Sequence, residues 1–408
     1  MNVLMLAEVS AAAVIGGAER VLREQALGLK QRGHQVQVVA RAPAGDCLAK
    51  VTIGAVVESR YTVSRRNEAA FVLSSVMRSV SALDEARAGR GWDVAVIHQS
   101  LCGLGPILYR AKQVGGWVYV CHSLAHEEYR SRTSPGKTRL ERARHALNAR
   151  VRQWSERVVM RRCARIVVLS EFMRRRVMEV HHLPESRLRI VPGAADPVRF
   201  HPAADPSNVR RRLKLPFDKV VLFTVRNLVP RMGLENLVQA LAGLGEEGRD
   251  LQVLIGGDGV LRSSLEHRIR DLNLSNRVRL LGFVAEEELP LYYQAADLVL
   301  MPTEELEGFG LVTVEAMACG TPVLGTPVGA IPEVLARVDP GLIADGTDGV
   351  ALASALRRVL RRFRDKPGEE QRLSAKCRAL VEEEYNWGRH TERLEAVLRE
   401  AVVDKPWE

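Results

Sequence analysis

Cysteine is scarce in this 408-residue chain, and the placement of the few cysteines excludes two classes of protein. The six stand at positions 47, 102, 121, 163, 319 and 377, with no Cys-x-x-Cys spacing and no cluster of histidines beside them. This spacing is neither that of a zinc site nor that of a disulfide framework. We therefore expect small buried thiols in a reducing compartment, and hence a cytoplasmic protein.

Long apolar runs are lacking too. None reaches the roughly 18 residues that a membrane-spanning helix needs, so no such helix is expected. The composition, 46% hydrophobic and 26% charged, is typical of a globular chain and carries no signature of disorder. The chain is longer than one hydrophobic core usually organises, which predicts two domains of about 200 residues each.

Acidic residues are few in one stretch of the chain. The net charge is +10, but Arg130 to Arg176 holds fourteen arginines and one lysine against three glutamates, a local excess of +12. A basic surface of this kind indicates an anionic neighbour: membrane lipid, a phosphorylated acceptor or nucleic acid.

Part of this stretch has the pattern of an amphipathic helix. Counting from Leu140, the residues Leu147, Val151, Trp154 and Val158 recur at helical spacing, and the arginines fall mostly on the other faces. Two interpretations stay open. The helix either lies on a membrane surface, or packs its apolar stripe into the core and leaves its arginines in solvent.

Apolar runs alternate with helical patterns throughout the chain. Strand patterns are found at 2–8, 35–41, 93–98, 117–122, 165–170 and 188–193, and again at 220–227, 251–259, 277–284, 297–303 and 322–327. The first helix pattern, "GGAERVLREQALGLKQRGH", lies between the first two strands. Strand, glycine turn, helix and strand in this order predict an α/β fold with parallel sheets.

The domain boundaries are read from composition. Proline and charge gather at 200–219, which we interpret as a linker between an N-terminal domain, 1–203, and a C-terminal domain, 204–384. The segment 385–408 begins with an amphipathic helix that can pack on either domain or cross back to the first. Because ligands bind at the carboxyl ends of parallel strands, two such domains facing each other across a cleft would place the binding loops of both in that cleft.

One motif combines acids, glycines and a helix start. The stretch "EGFGLVTVEAMACGTPV" places Glu307 and Glu315 eight positions apart, with Gly308 and Gly310 between them and a helix from about Leu311. Glycines allow close approach to the backbone, a helix start offers unpaired N–H groups to an anion, and carboxylates accept hydrogen bonds from hydroxyls. A nucleoside diphosphate sugar meets these requirements. Glutamates that only favour the helix dipole are the simpler alternative.

Over nearly its whole length the sequence resembles the retaining GT-B glycosyltransferases of family 4. Glu307 and Glu315 match the acid pair of that family, with seven residues between them, inside "EGFGLVTVEAMACGTPVLGTPVGAIPE". The resemblance implies two Rossmann-like domains and transfer of a hexose from a nucleoside diphosphate sugar, commonly UDP-linked, to a hydroxyl acceptor. It implies that Glu315 holds the ribose and Glu307 the donor sugar, with Gly308, Phe309, Gly310 and Leu311 lining the donor.

The resemblance also assigns a phosphate clamp. Arg226 matches an arginine of the family that binds the diphosphate, whereas Met232 stands where the family carries a lysine. Arg231 is the candidate replacement, although an exposed loop arginine is the alternative. The guanidinium fork suits phosphate oxygens. No Asp-x-Asp stands where a divalent ion would bridge the diphosphate, so no metal and no other cofactor is expected.

Further donor and acceptor contacts follow from the resemblance. Gly16 and Gly17 match the "GGAE" opening, and His122 matches a histidine at a strand end that bonds the donor sugar. Gly257 lies in the glycine-rich strand exit near the nucleotide, and Phe283 and Val284 lie in the segment whose backbone reads the base. His98 and His126 are candidate acceptor contacts. We expect His181 and His182 to be solvated surface residues.

The implied reaction is a metal-independent, same-face displacement in which the leaving phosphate oxygen takes the proton of the acceptor. A covalent intermediate on Glu307 is the competing scheme. Many relatives act on lipid-linked acceptors, so Arg130–Arg176 becomes a candidate contact with the inner face of an anionic membrane. The alternatives are a GT-B phosphorylase, a nucleotide-sugar epimerase and, in a different class, a nucleic-acid binder without enzymatic activity.

Overall fold

The computed structural model divides into two compact units. One comprises Met1–Gly193 and Trp387–Glu408, and the other comprises Ala194–Asn386. The structure describes residues 1–14, 16–46, 48–87, 91–133, 135–136 and 138–404. Five of the six cysteines are free and buried, whereas Cys47 lies outside the described residues, as do positions 134 and 137 of the basic stretch.

The first unit is built on an eight-stranded sheet of order β3-β4-β2-β1-β5-β6-β7-β8. Neighbouring strands are parallel except for β3 and β4, which are antiparallel. The strands are β1 Asn2–Ala7, β2 Gln35–Arg41, β3 Lys50–Ile53, β4 Val56–Tyr61, β5 Trp92–Ile97, β6 Val114–Cys121, β7 Arg165–Val168 and β8 Leu188–Ile190.

Apolar side chains point to both faces of this sheet, and helices of the same unit cover both. Alternate residues of β1 enter two separate core clusters, with Leu4 and Leu6 in one and Val3 and Met5 in the other. This double burial explains the continuous apolar run of the strand. The helices are α1 Gly17–Gln31, α2 Glu68–Arg87, α3 Ser100–Tyr109, α4 Ala125–Arg132, α5 Arg139–Arg162, α6 Glu171–His181 and, last in the chain, α15 Trp387–Val403.

The second unit has a five-stranded, wholly parallel sheet of order β11-β10-β9-β12-β13. Its strands are β9 Val220–Val225, β10 Leu251–Gly256, β11 Val278–Gly282, β12 Leu298–Met301 and β13 Val323–Gly325. Its helices are α7 Pro206–Arg212, α8 Leu234–Gly243, α9 Arg262–Asp271, α10 Leu289–Ala295, α11 Leu311–Ala318, α12 Ile331–Val338, α13 Gly349–Asp365 and α14 Glu369–Glu383. The α/β prediction is confirmed, and β3 and β4 are the two strands that the sequence pattern missed.

The segment 200–219 is not a linker. Phe200 is buried and its ring packs 5.9 Å from that of Tyr293, while Arg210 donates two hydrogen bonds of 2.6 and 2.7 Å to the carboxylate of Asp297. Proline at the start of α7 suits the first helical turn, which needs no N–H donor there. The segment therefore belongs to the second unit, whose first residue is Ala194 rather than residue 204.

The C-terminal helix α15 packs on the first unit. Its apolar stripe, including Leu394 and Leu398, is fully buried in the core cluster on one face of the sheet. Gly116 in β6 lies directly against the backbone of Ala401, where a Cβ would collide with the carbonyl oxygen. The chain therefore returns to its first unit at Trp387, two residues after the predicted start of the segment.

A buried histidine fixes the start of this helix. His390 Nδ1 donates to the carbonyl oxygen of Pro192 at 2.6 Å, and its Nε2 lies 2.9 Å from the side-chain amide of Gln25 in α1. Burial lowers the pKa of His390 from its ordinary value of 6.5 to about 4, so the ring is neutral in the folded protein at neutral pH.

Helix α5 does not turn its predicted apolar stripe toward the core, as one of the two interpretations of the sequence required. Leu140 is 79% exposed, Leu147 60% and Trp154 58%, while the face toward the unit carries Ala149 and Met160, both fully buried. The predicted apolar stripe therefore points outward from Leu140 to Trp154, and for these residues the core-packed interpretation is wrong. Its last residue, Val158, is half-buried and packs against the core. Within the described residues, no helix combines the length and apolar character needed to cross a bilayer.

Acidification should destabilise the protein through His390. Because its pKa is lower in the folded state, the unfolded chain binds more protons between pH 6.5 and about 4, and stability falls as the pH falls through that window. Between pH 7 and pH 4.5, we expect the parent to lose about 2 kcal/mol more unfolding free energy than the variant His390→Gln. Urea unfolding at a series of pH values measures this difference.

The exposed His182 provides the control, because His182→Asn should leave the pH dependence of the parent unchanged. Parallel stability curves for parent and His390→Gln would contradict the neutral, buried state of His390.

Candidate active site

The predicted acid motif follows β12 in the second unit. The turn between Met301 and the start of α11 contains Leu306 with φ of 58° and ends at Gly310 with φ of 82°. A residue with a side chain is strained at such an angle, so glycine at position 310 allows the helix to begin abruptly. The turn is held by the backbone of the next loop, where the Ala330 N–H donates to the carbonyl oxygen of Glu307 at 3.0 Å.

Arg226 and Glu307 form an ion pair in which Arg226 is buried and Glu307 is half-buried. Arg226 directly follows β9, is only 8% exposed, and donates through Nη2 to Glu307 Oε2. The same nitrogen lies 2.9 Å from Thr303 Oγ1, and Met232 Sδ lies 3.0 Å away. The structure thus brings together the predicted phosphate ligand and the predicted sugar ligand. Neither charge is left alone in the low-dielectric surroundings, where an unpaired charge is costly.

Arg231 lies in another loop, at Pro230–Met232, and contacts the turn that precedes α11. Its Nη1 donates to the carbonyl oxygen of Leu306 at 3.1 Å, and its own carbonyl oxygen accepts from the Glu304 N–H at 2.9 Å. Met232, at the position where the resemblance predicts a lysine, contacts Arg226 through its sulfur. Two guanidinium groups therefore approach the residues around Glu307, and a thioether stands at the position of the predicted lysine.

Glu315 lies in the second turn of α11 and is 3% exposed. Its Oε2 accepts a hydrogen bond of 3.1 Å from the hydroxyl of Tyr293 in α10. Tyr293 is itself fully buried and packs against Phe223 of β9. The carboxylate of Glu315 is therefore held by a rigid partner close to the start of the helix.

Gly257 lies where the end of β10 closely approaches the end of β9. Its φ is 118°, and a Cβ there would collide with the carbonyl oxygen of Arg226. The structure explains this glycine by the close approach of two strand ends, which fixes the backbone of Arg226. After β11, Phe283 is 71% exposed and Val284 packs over Gly256. The contacts of these residues with a nucleotide stay predictions.

In the first unit, His98 and His122 follow the neighbouring strands β5 and β6 and touch each other. His98 Nδ1 and His122 Nε2 are 3.0 Å apart, and the rings are stacked. Burial lowers the pKa of both residues, to about 4 for His122, so His122 is available as a neutral hydrogen-bonding group and not as a cation.

The three remaining histidines of the sequence analysis differ in burial. His126 is buried, its ring lies edge-on to that of His181, and burial lowers its pKa. His181 is not a surface residue as expected: it is fully buried, and its Nε2 lies 3.0 Å from the buried carboxylate of Glu156. His182 is exposed, as expected. The pair differs because α6 ends at His181, which still faces the core, while His182 turns away with φ of 53°.

Gly16 and Gly17 stand where the loop after β1 enters α1, with Gly16 as the N-cap residue. Two acids hold the preceding loop. Glu8 accepts from the Leu101 N–H at the start of α3 at 2.9 Å, and the buried Glu58 accepts from the Ala11 N–H at 2.7 Å. The glycine pair thus follows a loop that is fastened at two points.

Glu58 belongs to a buried network that the sequence did not reveal. Its Oε1 accepts from Ser10 Oγ and from Arg60 Nε, both at 2.6 Å, and Arg60 also pairs with Asp46. Both Glu58 and Arg60 lie in β4, one of the missed strands. The only sequence signal is a glutamate and an arginine at alternate positions of a short strand, which also describes a solvated edge.

Among the described residues, no group of three or more His, Cys, Asp or Glu side chains is placed to hold a metal ion.

In a comparison with known proteins, two family models match this chain. Residues 206–376 match the model described as glycosyl transferases group 1, and residues 15–199 match glycosyltransferase family 4. The chain is 28% identical to the D-inositol 3-phosphate glycosyltransferase of Mycolicibacterium smegmatis over 95% of this chain and 87% of that protein. Another relative, the 2-deoxystreptamine glucosyltransferase of Streptomyces kanamyceticus, is 32% identical over 54% of this chain and only 56% of its own length.

Solved structures share the fold. Sucrose-phosphate synthase from Thermosynechococcus elongatus superposes with a TM-score of 0.82 at 23% identity, over 98% of both chains. HepE from Anabaena, crystallised with UDP and glucose, gives a TM-score of 0.75 at 19% identity, over 98% of this chain and 99% of that one. The GT-B fold predicted from the sequence is thereby confirmed.

Removing the carboxylate of Glu58 should release the loop before Gly16. Glu58→Ala leaves Arg60 and the Ala11 N–H buried without this partner, so we expect a loss of about 3 kcal/mol in unfolding free energy. Hydrogen–deuterium exchange at Ala11 should become faster as well, because its amide loses its acceptor. The exposed acid Glu179 provides the control: Glu179→Ala should change neither quantity. Unchanged exchange at Ala11 in Glu58→Ala would contradict the anchoring role.

Proposed function

We propose that this chain, which belongs to the family 4 glycosyltransferases (glycosyl transferases group 1), is a hexosyltransferase. It transfers a hexose from a nucleoside diphosphate sugar to a hydroxyl acceptor. The observation that carries the proposal is the ion pair of Arg226 and Glu307, next to a glycine-bounded helix start that is followed by Glu315. A guanidinium fork suits phosphate and a helix start suits an anion, and here both lie with two acids in one loop system of the second unit.

Glu315 is assigned to the ribose hydroxyls. Its Oε2 is held by Tyr293, so the carboxylate is oriented before a ligand arrives, which reduces the entropy lost on binding. UDP is the first donor nucleotide to test, and the relative crystallised with UDP and glucose supports that choice.

Arg226 and Glu307 act as a unit. Glu307 directs Oε2 to Arg226, and we assign Oε1 to a hydroxyl of the donor sugar. Arg226, with Arg231 and the N–H groups of Gly310 and Leu311, stabilises the charge that grows on the leaving diphosphate. We assign this charge stabilisation to the protein and not to a metal ion.

The pairing bears on the choice between the two retaining schemes. A carboxylate whose charge is drawn toward a guanidinium is a weaker nucleophile, so the contact of Glu307 with Arg226 disfavours a covalent intermediate on Glu307. We propose same-face displacement, in which the leaving phosphate oxygen accepts the proton of the acceptor hydroxyl. Trapping a glycosyl adduct on Glu307 would overturn this choice.

The acceptor is proposed to be the hydroxyl of a sugar, a glycolipid or a small molecule. Contact of the basic stretch Arg130–Arg176 with an anionic membrane, at its inner face, is part of the same proposal and favours a glycolipid. A thermal-shift screen against nucleotide sugars identifies the donor, because a ligand that binds only the native state raises the melting temperature. Phosphate-dependent turnover, or product formed without acceptor, would instead indicate a phosphorylase or an epimerase.

Glu315→Ala should weaken the binding of free UDP by about tenfold to a hundredfold, since it removes charge-assisted hydrogen bonds. Isothermal titration calorimetry measures the affinity. Tyr293→Phe, which removes only the hydroxyl that orients Glu315, should cause a smaller loss. The exposed Glu382 in α14 is the control, and Glu382→Ala should bind like the parent. Equal affinity of Glu315→Ala and parent would show that the ribose contact is misassigned.

Arg226→Ala should lower kcat/KM by about a hundredfold or more, because the guanidinium stabilises charge that grows on the diphosphate in the transition state. Arg226→Lys keeps a cation for Glu307 but lacks the planar fork, so its kcat/KM should fall between those of Arg226→Ala and the parent. Circular dichroism establishes that both variants fold. A kcat/KM equal to that of the parent in a folded Arg226→Ala would remove Arg226 from the mechanism.

A further inference from the structure

Helix α5 presents apolar side chains to solvent from Leu140 to Trp154, whereas Val158 in its last turns is half-buried against the core. Leu140, Leu147, Val151 and Trp154, which we call the α5 stripe, lie on one side of the helix and are all exposed. The opposite side, toward the core, carries Ala149, Glu156 and Met160, all fully buried. An ordinary surface helix buries its apolar stripe, so the arrangement here is inverted.

The orientation of α5 is firmly held. Glu156 lies within hydrogen-bond distance of the Tyr119 hydroxyl and of His181 Nε2, at 3.0 Å each. At its first turn, Thr138 and Glu141 form a capping box. Rotating the helix to bury the α5 stripe would bring Glu156 out of these bonds and expose Met160. The outward stripe is therefore a property of the native packing.

Exposed arginines border the stripe. Arg144 and Arg150 lie to either side of it at helical spacing and are both exposed. Helix α13 provides the contrast within the same chain. It is rich in arginine too, with five of them, but its apolar residues Leu352, Leu356 and Val359 are buried in the ordinary way. Arginine content alone therefore does not explain the inverted helix.

The neighbouring helices also expose apolar side chains. Helix α3 packs against both α5 and α2. Leu73 and Met77 of α2, and Tyr109 at the end of α3, are each more than half exposed. Exposed apolar groups are thus concentrated on three adjoining helices of one unit, where singly scattered ones would need no explanation.

We propose that the α5 stripe docks on an anionic lipid surface, with its apolar side chains at the boundary of head groups and acyl chains and with Arg144 and Arg150 on the lipid phosphates. The charge of the helix is complementary to such lipids, and the apolar side chains find there an environment that water does not offer. The inference rests on the proposed function and extends it: a hydroxyl acceptor that is itself carried by a lipid meets the enzyme at this surface.

A nucleic acid is the other polyanion that the local charge suggested. Its backbone is bound through Lys and Arg contacts and counterion release, which require no row of exposed leucine, valine and tryptophan. The α5 stripe therefore favours lipid over nucleic acid.

Sedimentation with vesicles tests the proposal without any sugar substrate. The full chain should bind vesicles of phosphatidylcholine mixed with phosphatidylglycerol and should bind phosphatidylcholine alone much more weakly. Leu147→Gln and Trp154→Gln should each reduce the partition coefficient about tenfold, since each removes a buried apolar side chain from the bound state. Arg144→Gln and Arg150→Gln should each reduce it about fivefold, and only on the anionic vesicles.

Helix α13 supplies matched controls. Val350→Gln replaces an exposed apolar residue and Arg361→Gln an exposed arginine, so both should bind anionic vesicles like the parent. The tryptophan emission of the parent should shift to shorter wavelength on anionic vesicles, and Trp154→Gln should abolish the shift.

Three outcomes would overturn the proposal: vesicle binding unchanged in Leu147→Gln and Trp154→Gln, equal losses in the α13 variants, or binding to an oligonucleotide that exceeds binding to anionic vesicles. Donor binding, measured with free UDP, is independent of the α5 stripe. A failed vesicle experiment with intact UDP binding would therefore reject the docking surface alone. Vesicle binding by a chain that binds no nucleoside diphosphate would reject the proposed transfer reaction.

Discussion

The ion pair between the buried Arg226 and the half-buried Glu307 joins two loops that are 81 residues apart in the sequence. Each loop follows a strand of the same parallel sheet, β9 or β12, and these strands are neighbours. Because a buried charge without a partner is costly, each residue constrains the position of the other. The proposed chemistry depends on this constraint, since it fixes the relative position of the two residues that we propose as the phosphate ligand and the sugar ligand before the donor binds.

Glycine makes this arrangement of Arg226 and Glu307 possible in two places. At Gly257 the absence of a side chain lets the end of β10 touch the backbone of Arg226, and at Gly310 a left-handed angle lets α11 begin immediately after the turn that contains Glu307. The first unit solves a similar problem with acids instead. There Glu8 and Glu58 accept backbone N–H groups and fasten the loop that leads to Gly16. Both units thus hold strand-end loops by polar contacts.

In helix α5, tertiary packing decides in which direction the apolar stripe of the sequence faces. That stripe of apolar residues is equally compatible with a core helix and with a membrane-surface helix, because the sequence records periodicity and not direction. The direction is set by Glu156, whose partners Tyr119 and His181 lie on other elements of the first unit. With Glu156 turned inward, the α5 stripe is turned outward.

The α/β class, the parallel strands that carry the site and the family were all predictable from the amino-acid sequence, because apolar periodicity and the spacing of Glu307 and Glu315 are local properties. The sequence did not predict the strand β4, whose Glu58 and Arg60 are buried only through partners far along the chain, nor the burial of His181. It also misplaced the start of the second unit, since Phe200 and Arg210 look like linker residues until their partners Tyr293 and Asp297 are folded beside them. A buried polar group is stable only in the company of its partners, and those partners are brought to it by the tertiary structure.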